Sequence, residues 1–226
     1  MVTSNQRLEA RIGYQFSRPE LCERALTHRS FGPENNERLE FLGDAVLDLV
    51  ITQMLYLRFE DADEGQLSLL RASLVKGPSL ATVARQLQLG AFISLGSGER
   101  KTGGADRDSN LANVLEALIG AIYLDAGLDI CRARIESWFA AKLTTLSPQA
   151  IEKDPKSRLQ EYLQKTGRPL PEYRLLEKRG QAHARMFAIT CSLPDTGRQT
   201  TAEDSSRKKA ERAAALAMLE VLGEQL

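Results

Sequence analysis

The sequence lacks any long apolar run: no stretch reaches the roughly 18 consecutive apolar residues that a membrane-spanning helix needs. Residues 1–11 are polar, without the charged segment and apolar core that mark a secretory signal. These two absences predict a soluble, cytosolic protein with no membrane partner.

Cysteine and histidine are scarce. The three cysteines are far apart and outside any C-x-x-C pattern, and there are only two histidines. An odd number of dispersed cysteines argues against a disulfide framework and against a zinc site. We therefore expect Cys22, Cys131 and Cys191 to be reduced and mostly buried.

An excess of either charge is also missing, because 30 Lys and Arg balance 30 Asp and Glu. The balance hides an asymmetry along the chain. Residues 1–150 carry 16 basic and 19 acidic residues, whereas residues 151–226 carry 14 basic and 11 acidic residues. An acidic part that could hold cations is joined to a basic part that could hold phosphates.

The hydrophobic pattern changes in the same place. Amphipathic helical runs fill residues 7–146, and the polar, proline-bounded residues 149–154 predict a linker between a domain at 1–148 and one at 155–226. The second domain is predicted to be α+β, in the order α-β-β-β-α. Its predicted elements are a helix Lys156–Thr166, strands Tyr173–Lys178, Ala184–Leu193 and Arg198–Ala202, and a helix Ser205–Leu222.

Three carboxylates recur along one predicted helix. In the run N-E-R-L-E-F-L-G-D-A-V-L, which begins at Asn36, the acids Glu37, Glu40 and Asp44 follow each other at spacings of three and four. Such spacing stacks them on one side of the helix, where like charges among apolar residues are costly without a countercharge. A divalent cation is the obvious countercharge.

This run resembles the N-E-R-L-E-F-L-G-D signature of ribonuclease III, the family of double-stranded-RNA endonucleases. A second segment, N-V-L-E-A-L-I-G from Asn113 to Gly120, resembles the family's D-x-x-E-A-x-x-G, with Gly120 permitting close helix packing. It departs from that pattern at one position, because Asn113 stands where the family has Asp. The amide keeps an oxygen ligand but removes one negative charge from the site.

The resemblance implies an all-α endonuclease domain that binds Mg²⁺, with Mn²⁺ able to replace it. The cation would polarise the scissile phosphate and activate a water, giving 5′-phosphate and 3′-hydroxyl ends with a short 3′ overhang. Expected substrates are ribosomal RNA precursors and structured messenger RNA. The implied metal ligands are Glu40, Asp44, Asn113 and Glu116, and the catalytic set adds Glu37.

Several of these residues have alternative interpretations. Structural salt bridges could explain the acids of both helices, and an ion pair could explain Glu37. Asp48 continues the acidic stripe but lies outside the family pattern, so we expect it to be solvated or ion-paired. The segment around His28 resembles the family's T-H-x-S, and there we expect a core histidine that fixes a loop rather than a general base.

Two further RNA contacts are implied by resemblance alone. Glu64 follows Asp63 in a D-E-G turn, although an ordinary acid at a helix N-terminus explains it equally well. Lys101 begins a K-T-G-G loop that resembles an RNA-touching loop of the family, with simple flexibility as the alternative.

The second domain resembles a double-stranded-RNA-binding domain through its D-P-K-S-R-L-Q-E-Y-L-Q, P-x-Y, G-x-x-H and S-S-R-K-K-A-E-R-A-A segments. Such domains contact two minor grooves of duplex RNA and the phosphates between them, over roughly 16 base pairs. The implied contacts are Gln160 and Glu161 on the first helix, His183 in a strand loop, and Arg207, Lys208 and Lys209 at the start of the second helix.

The resemblance also implies a homodimer through the nuclease domain, with Phe31, Phe41, Leu42 and Ala45 as candidate interface residues. Two other functions stay open. One is a duplex-RNA-binding regulator whose nuclease centre is weakened by Asn113. The other is a di-metal enzyme acting on a small substrate, which would ordinarily show Glu-x-x-His pairs that this chain lacks.

Overall fold

A computed structural model of the protein describes residues 4–147, 154–180 and 185–223. By their contacts the residues divide into two compact units, one ending at residue 151 and the other beginning at residue 152. The predicted fold class is confirmed: a helical unit is followed by an α-β-β-β-α unit.

Among the described residues of the first unit, the regular elements are all helices. Two short 3-10 turns, Leu89–Phe92 and Gly104–Asp106, lie between its later helices. The α-helices are α1 Ser4–Ile12, α2 Pro19–Ala25, α3 Glu37–Arg58, α4 Glu64–Val75, α5 Gly77–Gln86, α6 Ser97–Lys101 and α7 Asp108–Thr144.

The core of this unit is built around α3 and α7. On α7 every residue from Asn110 to Ile122 is buried except Asn113 and Glu116, which are half-buried. A helix that is apolar on nearly all sides must be surrounded by other helices. The two polar residues of the second motif therefore stand out as the only break in this buried run.

A kink interrupts α7 at Gly127, whose φ of 80° lies in the left-handed region that glycine adopts without strain. Just before the kink, the fully buried carboxylate of Asp125 accepts hydrogen bonds from the Tyr14 hydroxyl at 2.5 Å and from the Ser17 and Arg18 backbone amides. Burial alone would raise the pKa of Asp125, but these bonds outweigh it and lower the pKa. Asp125 thus fastens the segment before α2 to the central helix.

Replacing Asp125 by Ala is expected to lower the free energy of unfolding by about 2–4 kcal/mol, because these three donors and the Nε–H of Arg18 lose a buried acceptor. Chemical denaturation followed by circular dichroism measures the change. Asp129→Ala, at an exposed carboxylate two residues beyond the kink, is the control and should have little effect. Equal losses in the two variants would contradict this role.

The second unit packs two helices against one face of a sheet. Its three strands are antiparallel in the order β1-β2-β3, with an irregularity in β1 between Leu175 and Glu177. Ile189 and Cys191 of the central strand point into a core shared with both helices. The elements are α8 Pro155–Lys165, β1 Glu172–Arg179, β2 Met186–Ser192, β3 Gln199–Asp204 and α9 Arg207–Val221.

Most of the predicted linker, 149–154, lies outside the described residues. Its last residue, Asp154, is the N-cap of α8, where its carboxylate accepts a hydrogen bond from the Lys156 amide and pairs with Arg212 at 2.9 Å. Position 154 therefore has a structural role in the second unit.

The three cysteines are free and buried, as the sequence predicts. Within the described ranges, the helices are all too short or too polar to cross a membrane.

Candidate active site

Two glycines let α3 and α7 touch backbone to backbone. A β-carbon built at Gly43 would lie 1.8 Å from the carbonyl oxygen of Glu116, and one built at Gly120 would lie 2.3 Å from the carbonyl oxygen of Leu39. Both distances are far shorter than any non-bonded contact allows. The packing role predicted for Gly120 is confirmed, and Gly43 has the matching role on α3.

This close approach brings the two sequence motifs together. Glu40 and Asp44 flank the glycine of α3, and Glu116 precedes the glycine of α7 by one turn. The Asn113 side chain forms a hydrogen bond with the Glu40 carboxylate across the two helices. The helix positions of the implied metal ligands therefore lie on both sides of one helix contact.

The electrostatics of the contact are those of an unneutralised acidic site. Burial, together with the negative charges of Asp44, Glu40 and Asp48, raises the pKa of Glu116 to about 8. Burial and then Glu37 also raise the pKa of Glu40, against the opposing effects of Arg29 and Asn113. Acids whose pKa values are raised by burial and by each other's charges are typical of sites built for a cation.

The donor chemistry fits a hard divalent cation, which prefers carboxylate and amide oxygens. Within the described residues, no three Asp, Glu, His or Cys side chains already converge into a metal cage. Mg²⁺ does not need such a cage, because it keeps several of its waters and is bound through one or two carboxylates. The assignment of Glu40, Asp44, Asn113 and Glu116 as ligands stays a prediction that this chemistry supports.

Salt bridges do not explain these acids. In the described part of the chain, none of the ion pairs includes Glu40, Asp44 or Glu116. Glu37 differs from them: it is exposed and pairs with Arg29 at 3.6 Å, so the ion pair expected as its alternative interpretation exists.

Asp48 is the acid of this region that the family pattern does not include. Its carboxylate acts on Glu116, and its Oδ1 is closed off from solvent with no hydrogen-bond partner among the described residues. The expectation of a solvated or ion-paired residue is wrong for this oxygen. In the sequence, only its spacing of four from Asp44 indicated that Asp48 lies on the same side of α3 as the other acids.

The segment around His28 fixes a loop, as expected. Its Nδ1 accepts a hydrogen bond from the Ser30 amide at 3.1 Å, and the Ser30 hydroxyl accepts one from the Gly96 amide at 3.0 Å. A bridge between Thr27 and Ser94 completes the attachment. The imidazole thus helps to join the loop before α3 to the loop before α6, but it is half-buried rather than part of the core.

Hydrogen bonds from Asn110 and Arg107 fix the segment around the loop that follows Lys101. Lys101 ends α6 and is exposed, while the buried Asn110 amide donates to Glu99 at 2.9 Å and to the Gly104 carbonyl at 3.0 Å. Arg107 also donates to Glu99. These bonds argue against the alternative that the loop is merely flexible.

Glu64 lies in the first turn of α4. Asp63 is the N-cap of this helix and forms a capping box with Gln66, and Glu64 accepts a hydrogen bond from the Ser68 hydroxyl at 2.8 Å. The structure thus contains the ordinary helix-terminal acid of the alternative interpretation, and an RNA contact at Glu64 stays a prediction.

The RNA-binding residues predicted in the second unit lie on its helices. Gln160 and Glu161 are exposed on α8, and Lys208 and Lys209 are exposed in the first turn of α9. Arg207, beside them, pairs with Glu211 at 3.0 Å. His183 lies outside the described residues.

Comparison with known proteins follows the same division of the chain. Residues 18–143 match the ribonuclease-III-like family and residues 155–222 match the double-stranded RNA binding motif. Ribonuclease 3 of Hahella chejuensis is 50% identical over 223 residues, 99% of each chain. The chain belongs to the ribonuclease III family.

Other ribonuclease III proteins agree. Ribonuclease 3 of Methylococcus capsulatus is 50% identical, over all of this chain and 98% of its own. The crystal structure of the nuclease domain of ribonuclease III from Campylobacter jejuni superposes with a TM-score of 0.61 at 42% identity, covering 64% of this chain and 99% of that one. A second structure of that domain, described as flexible in a region involved in dimer formation, has a TM-score of 0.58 at 46% identity, covering 60% of this chain and 98% of that one. The family predicted from sequence is confirmed.

Proposed function

We propose that this chain is an endoribonuclease that hydrolyses phosphodiester bonds in double-stranded RNA. Water would add to phosphorus as the bond to the 3′ oxygen breaks, leaving 5′-phosphate and 3′-hydroxyl ends. The observation that supports the proposal is the glycine contact between α3 and α7, which joins the two helices that carry both family motifs, with the charges of Asp44 and Glu40 acting on Glu116. Ribosomal RNA precursors and structured messenger RNA are the proposed substrates.

Glu40, Asp44, Asn113 and Glu116 would hold Mg²⁺, or Mn²⁺ in its place. When bound, the cation supplies a Lewis acid for the scissile phosphate and lowers the pKa of a water. The chain's part is to hold the backbones that carry these residues at one contact, because the close approach of the two helices leaves little freedom to separate them. Asn113 donates to Glu40 and so orients that carboxylate.

The second unit would grip the duplex through its minor grooves and phosphates. Gln160 and Glu161 could exchange hydrogen bonds with 2′-hydroxyls, and Lys208 and Lys209 could meet phosphates where the α9 dipole adds to their attraction. Arg207 can contribute less to phosphate binding, because its charge is already paired with Glu211. His183 is proposed to enter the second minor groove, and Glu64 and Lys101 to contact RNA from the nuclease unit.

Replacing both Lys208 and Lys209 by Ala is expected to weaken duplex binding about equally for all sequences and to lower the slope of log K against log salt by about 2. Fluorescence anisotropy with a labelled duplex in EDTA, at several salt concentrations, measures both. Lys165→Ala, at the exposed last residue of α8, is the control. An unchanged salt slope would show that neither lysine meets a phosphate.

The nuclease unit is proposed to form a homodimer through the face of α3 that carries Phe41. The Phe41 side chain is 81% exposed, and Phe31 is 59% exposed. Beside Phe41 lies a mainly apolar cavity of about 600 Å³. A two-fold axis brings the same surface of both chains together. Because the Phe41 side chain lies next to a cavity in its own chain, each Phe41 would fill the cavity of the partner chain. The cavity is lined by Leu21, Arg24, Glu37, Arg38, Leu39, Phe41, Leu42 and Leu124.

Phe41→Asp is expected to convert the dimer to a monomer, because it would bury a charge in an apolar cavity at a cost of several kcal/mol. Analytical ultracentrifugation at micromolar concentration measures the change. Leu176→Asp, at an exposed leucine of the second unit, is the matched control and should leave the dimer intact. A variant that stays dimeric would place the interface elsewhere.

The test of the proposed function is incubation of the chain with end-labelled duplex RNA, with and without Mg²⁺. Shortened products that carry 5′-phosphates and require the cation support it. A retarded but uncut duplex at every Mg²⁺ concentration would instead support the second candidate, a duplex-binding regulator. Two observations favour this second candidate. Asn113 is neutral where the family motif has Asp, and no three possible metal-binding side chains converge among the described residues.

A further inference from the structure

The two helices of the second unit are joined at one end by two ion pairs. Lys156, in the first turn of α8, donates to the carboxylate of Glu211 on α9 at 2.7 Å. Asp154, the N-cap of α8, pairs with Arg212 of α9 at 2.9 Å. A shift of one helix that exchanged these partners would bring like charges together, so the two pairs hold α8 and α9 in one register.

Glu211 is the centre of this contact. One of its carboxylate oxygens accepts a hydrogen bond from Lys156, and the other accepts one from Arg207 at 3.0 Å. The Lys156 ammonium also lies 4.4 Å from the ring centroid of Tyr173 on β1, close enough for a cation to be attracted to the ring. The Glu211 side chain is only 14% exposed, so solvent screens its bonds less than those of an ordinary surface pair.

The contact lies between the two groups of residues that are proposed to bind RNA. Gln160 follows Lys156 by four residues on α8, and Lys209 precedes Glu211 by two residues on α9. Each separation is about one helical turn or less, which is about 5 Å along a helix axis. Glu211 and Lys156 therefore connect the proposed minor-groove contacts of α8 to the proposed phosphate contacts of α9.

Apolar packing alone does not fix the spacing of these two groups. The helices share an apolar core with the sheet, and apolar attraction is non-directional. Hydrogen bonds between charged groups are directional, because they require a particular distance and angle between donor and acceptor. The bonds of Glu211 are thus suited to hold the start of α9 at one distance from α8.

Such a spacing matters because duplexes differ in the geometry of their grooves. A-form RNA has a deep, narrow major groove and a wide, shallow minor groove. In B-form DNA the major groove is about 12 Å wide and the minor groove about 6 Å. A protein that reaches a minor groove and the phosphates across the next major groove at one fixed spacing fits only one of these forms.

We infer that Glu211, through its bond with Lys156, is a positioning residue that sets the spacing between the minor-groove contacts of α8 and the phosphate contacts of α9, and thereby selects A-form RNA over B-form DNA. This rests on the proposed function in taking the second unit to grip duplex RNA through those contacts. Glu211 acts through the two helices that it joins rather than by touching the nucleic acid.

Glu211→Gln in the full chain tests the inference, because two explanations predict opposite results. Simple electrostatics predicts tighter binding of any duplex, since the substitution removes a negative charge and releases Arg207 from its partner. A loss of positioning predicts that the Kd for duplex RNA rises about fivefold while the Kd for duplex DNA changes less than about twofold. Fluorescence anisotropy in EDTA measures both, with RNA and DNA duplexes of the same sequence and about 20 base pairs, longer than the span of about 16 base pairs in such domains.

Three variants are matched controls. Glu220→Gln makes the same charge change at an exposed residue in the last turn of α9 and should keep the parent's ratio of RNA to DNA affinity. Lys156→Arg keeps a cation beside Glu211 and should also keep the ratio. Lys156→Gln breaks the same bond from α8, so it should lower the ratio as Glu211→Gln does, and the double variant should lose little more, because partners in one contact act non-additively.

Tighter RNA binding by Glu211→Gln, equal changes for RNA and DNA, or additive losses in the double variant would overturn the inference. Circular dichroism and the melting temperature check the fold, and Lys156→Gln carries the test if Glu211→Gln does not fold.

Failure of the inference can be told apart from failure of the proposed function. A parent chain that binds RNA and DNA duplexes equally well refutes the proposed RNA grip and the inference with it. A parent that prefers RNA, with the same preference in Glu211→Gln, refutes the inference alone. A chain that shows the expected loss of preference but never cuts duplex RNA with Mg²⁺ refutes the nuclease and keeps the role of Glu211.

Discussion

Glu116→Gln is expected to reduce cleavage of duplex RNA at least about 10³-fold, which corresponds to about 4 kcal/mol of lost transition-state stabilisation. The substitution keeps the size of the side chain and one oxygen but removes the carboxylate that the α3–α7 contact would offer to the cation. Duplex binding in EDTA should be unchanged within about twofold, because binding is carried mainly by phosphate and groove contacts of the second unit. Single-turnover cleavage and fluorescence anisotropy measure the two quantities.

In the absence of metal, Glu116 also makes the stability of the folded chain depend on pH. Burial and neighbouring acids raise the pKa of Glu116 to about 8, so between pH 4.5 and pH 8 the folded chain holds a proton there that the unfolded chain has lost. The folded state is then favoured at low pH, and this contribution disappears as the pH rises through 8. Parent protein in EDTA should lose on the order of 2–4 kcal/mol of stability from this group between pH 5 and pH 9.

Glu116→Gln removes that titration, so its stability should depend less on pH than that of the parent. Denaturant unfolding in EDTA at a series of pH values measures the difference. Added Mg²⁺ should stabilise the parent at high pH, because the cation binds the deprotonated acids, and should stabilise the variant less. A variant that is inactive but has the parent's pH profile and Mg²⁺ response would mean that Glu116 acts elsewhere than in the acidic cluster.

The sequence predicts the elements of the second unit well because its pattern is local. Alternating residues of β2 such as Phe187, Ile189 and Cys191 face the helices, which is the period-two pattern of a strand. The turn with Asp195 and Gly197 joins β2 to β3, so the turn residues and the strand pattern predict the same hairpin. Asp154 instead falls within the predicted linker, although its capping bond with the Lys156 amide is local; only its ion pair with Arg212 involves a residue that is distant in the sequence.

The candidate site was predictable only in part, and for a related reason. Spacing along one helix shows which acids share a face, and it correctly placed Glu40 beside Asp44. It does not show which atoms are closed off from water when a second helix packs there. The unpartnered Oδ1 of Asp48 and the hydrogen bond from Asn113 to Glu40 arise when other elements pack onto α3, whereas spacing along α3 shows only that Asp48 shares a face with Asp44.

Gly43→Ala is expected to destabilise the nuclease unit by about 3 kcal/mol or more and to abolish cleavage. The new methyl group would lie 1.8 Å from the Glu116 carbonyl oxygen, and its neighbours are backbone atoms that cannot rotate away. The two helices would have to separate, at the cost of core packing. For a chain of this size that corresponds to a melting temperature lower by about 6–12 °C, measured by calorimetry.

Gly98→Ala is the matched control, because Gly98 lies inside a helix with nothing within 4 Å of a built β-carbon. It should keep both stability and activity, since alanine favours helix over glycine. If Gly43→Ala folds with nearly normal stability but still fails to cleave, the glycine contact acts mainly by setting the distance between the acids of α3 and α7. If it folds and cleaves normally, the close approach of the two helices is not what positions the cation ligands, and the structural basis of the proposed nuclease fails with it.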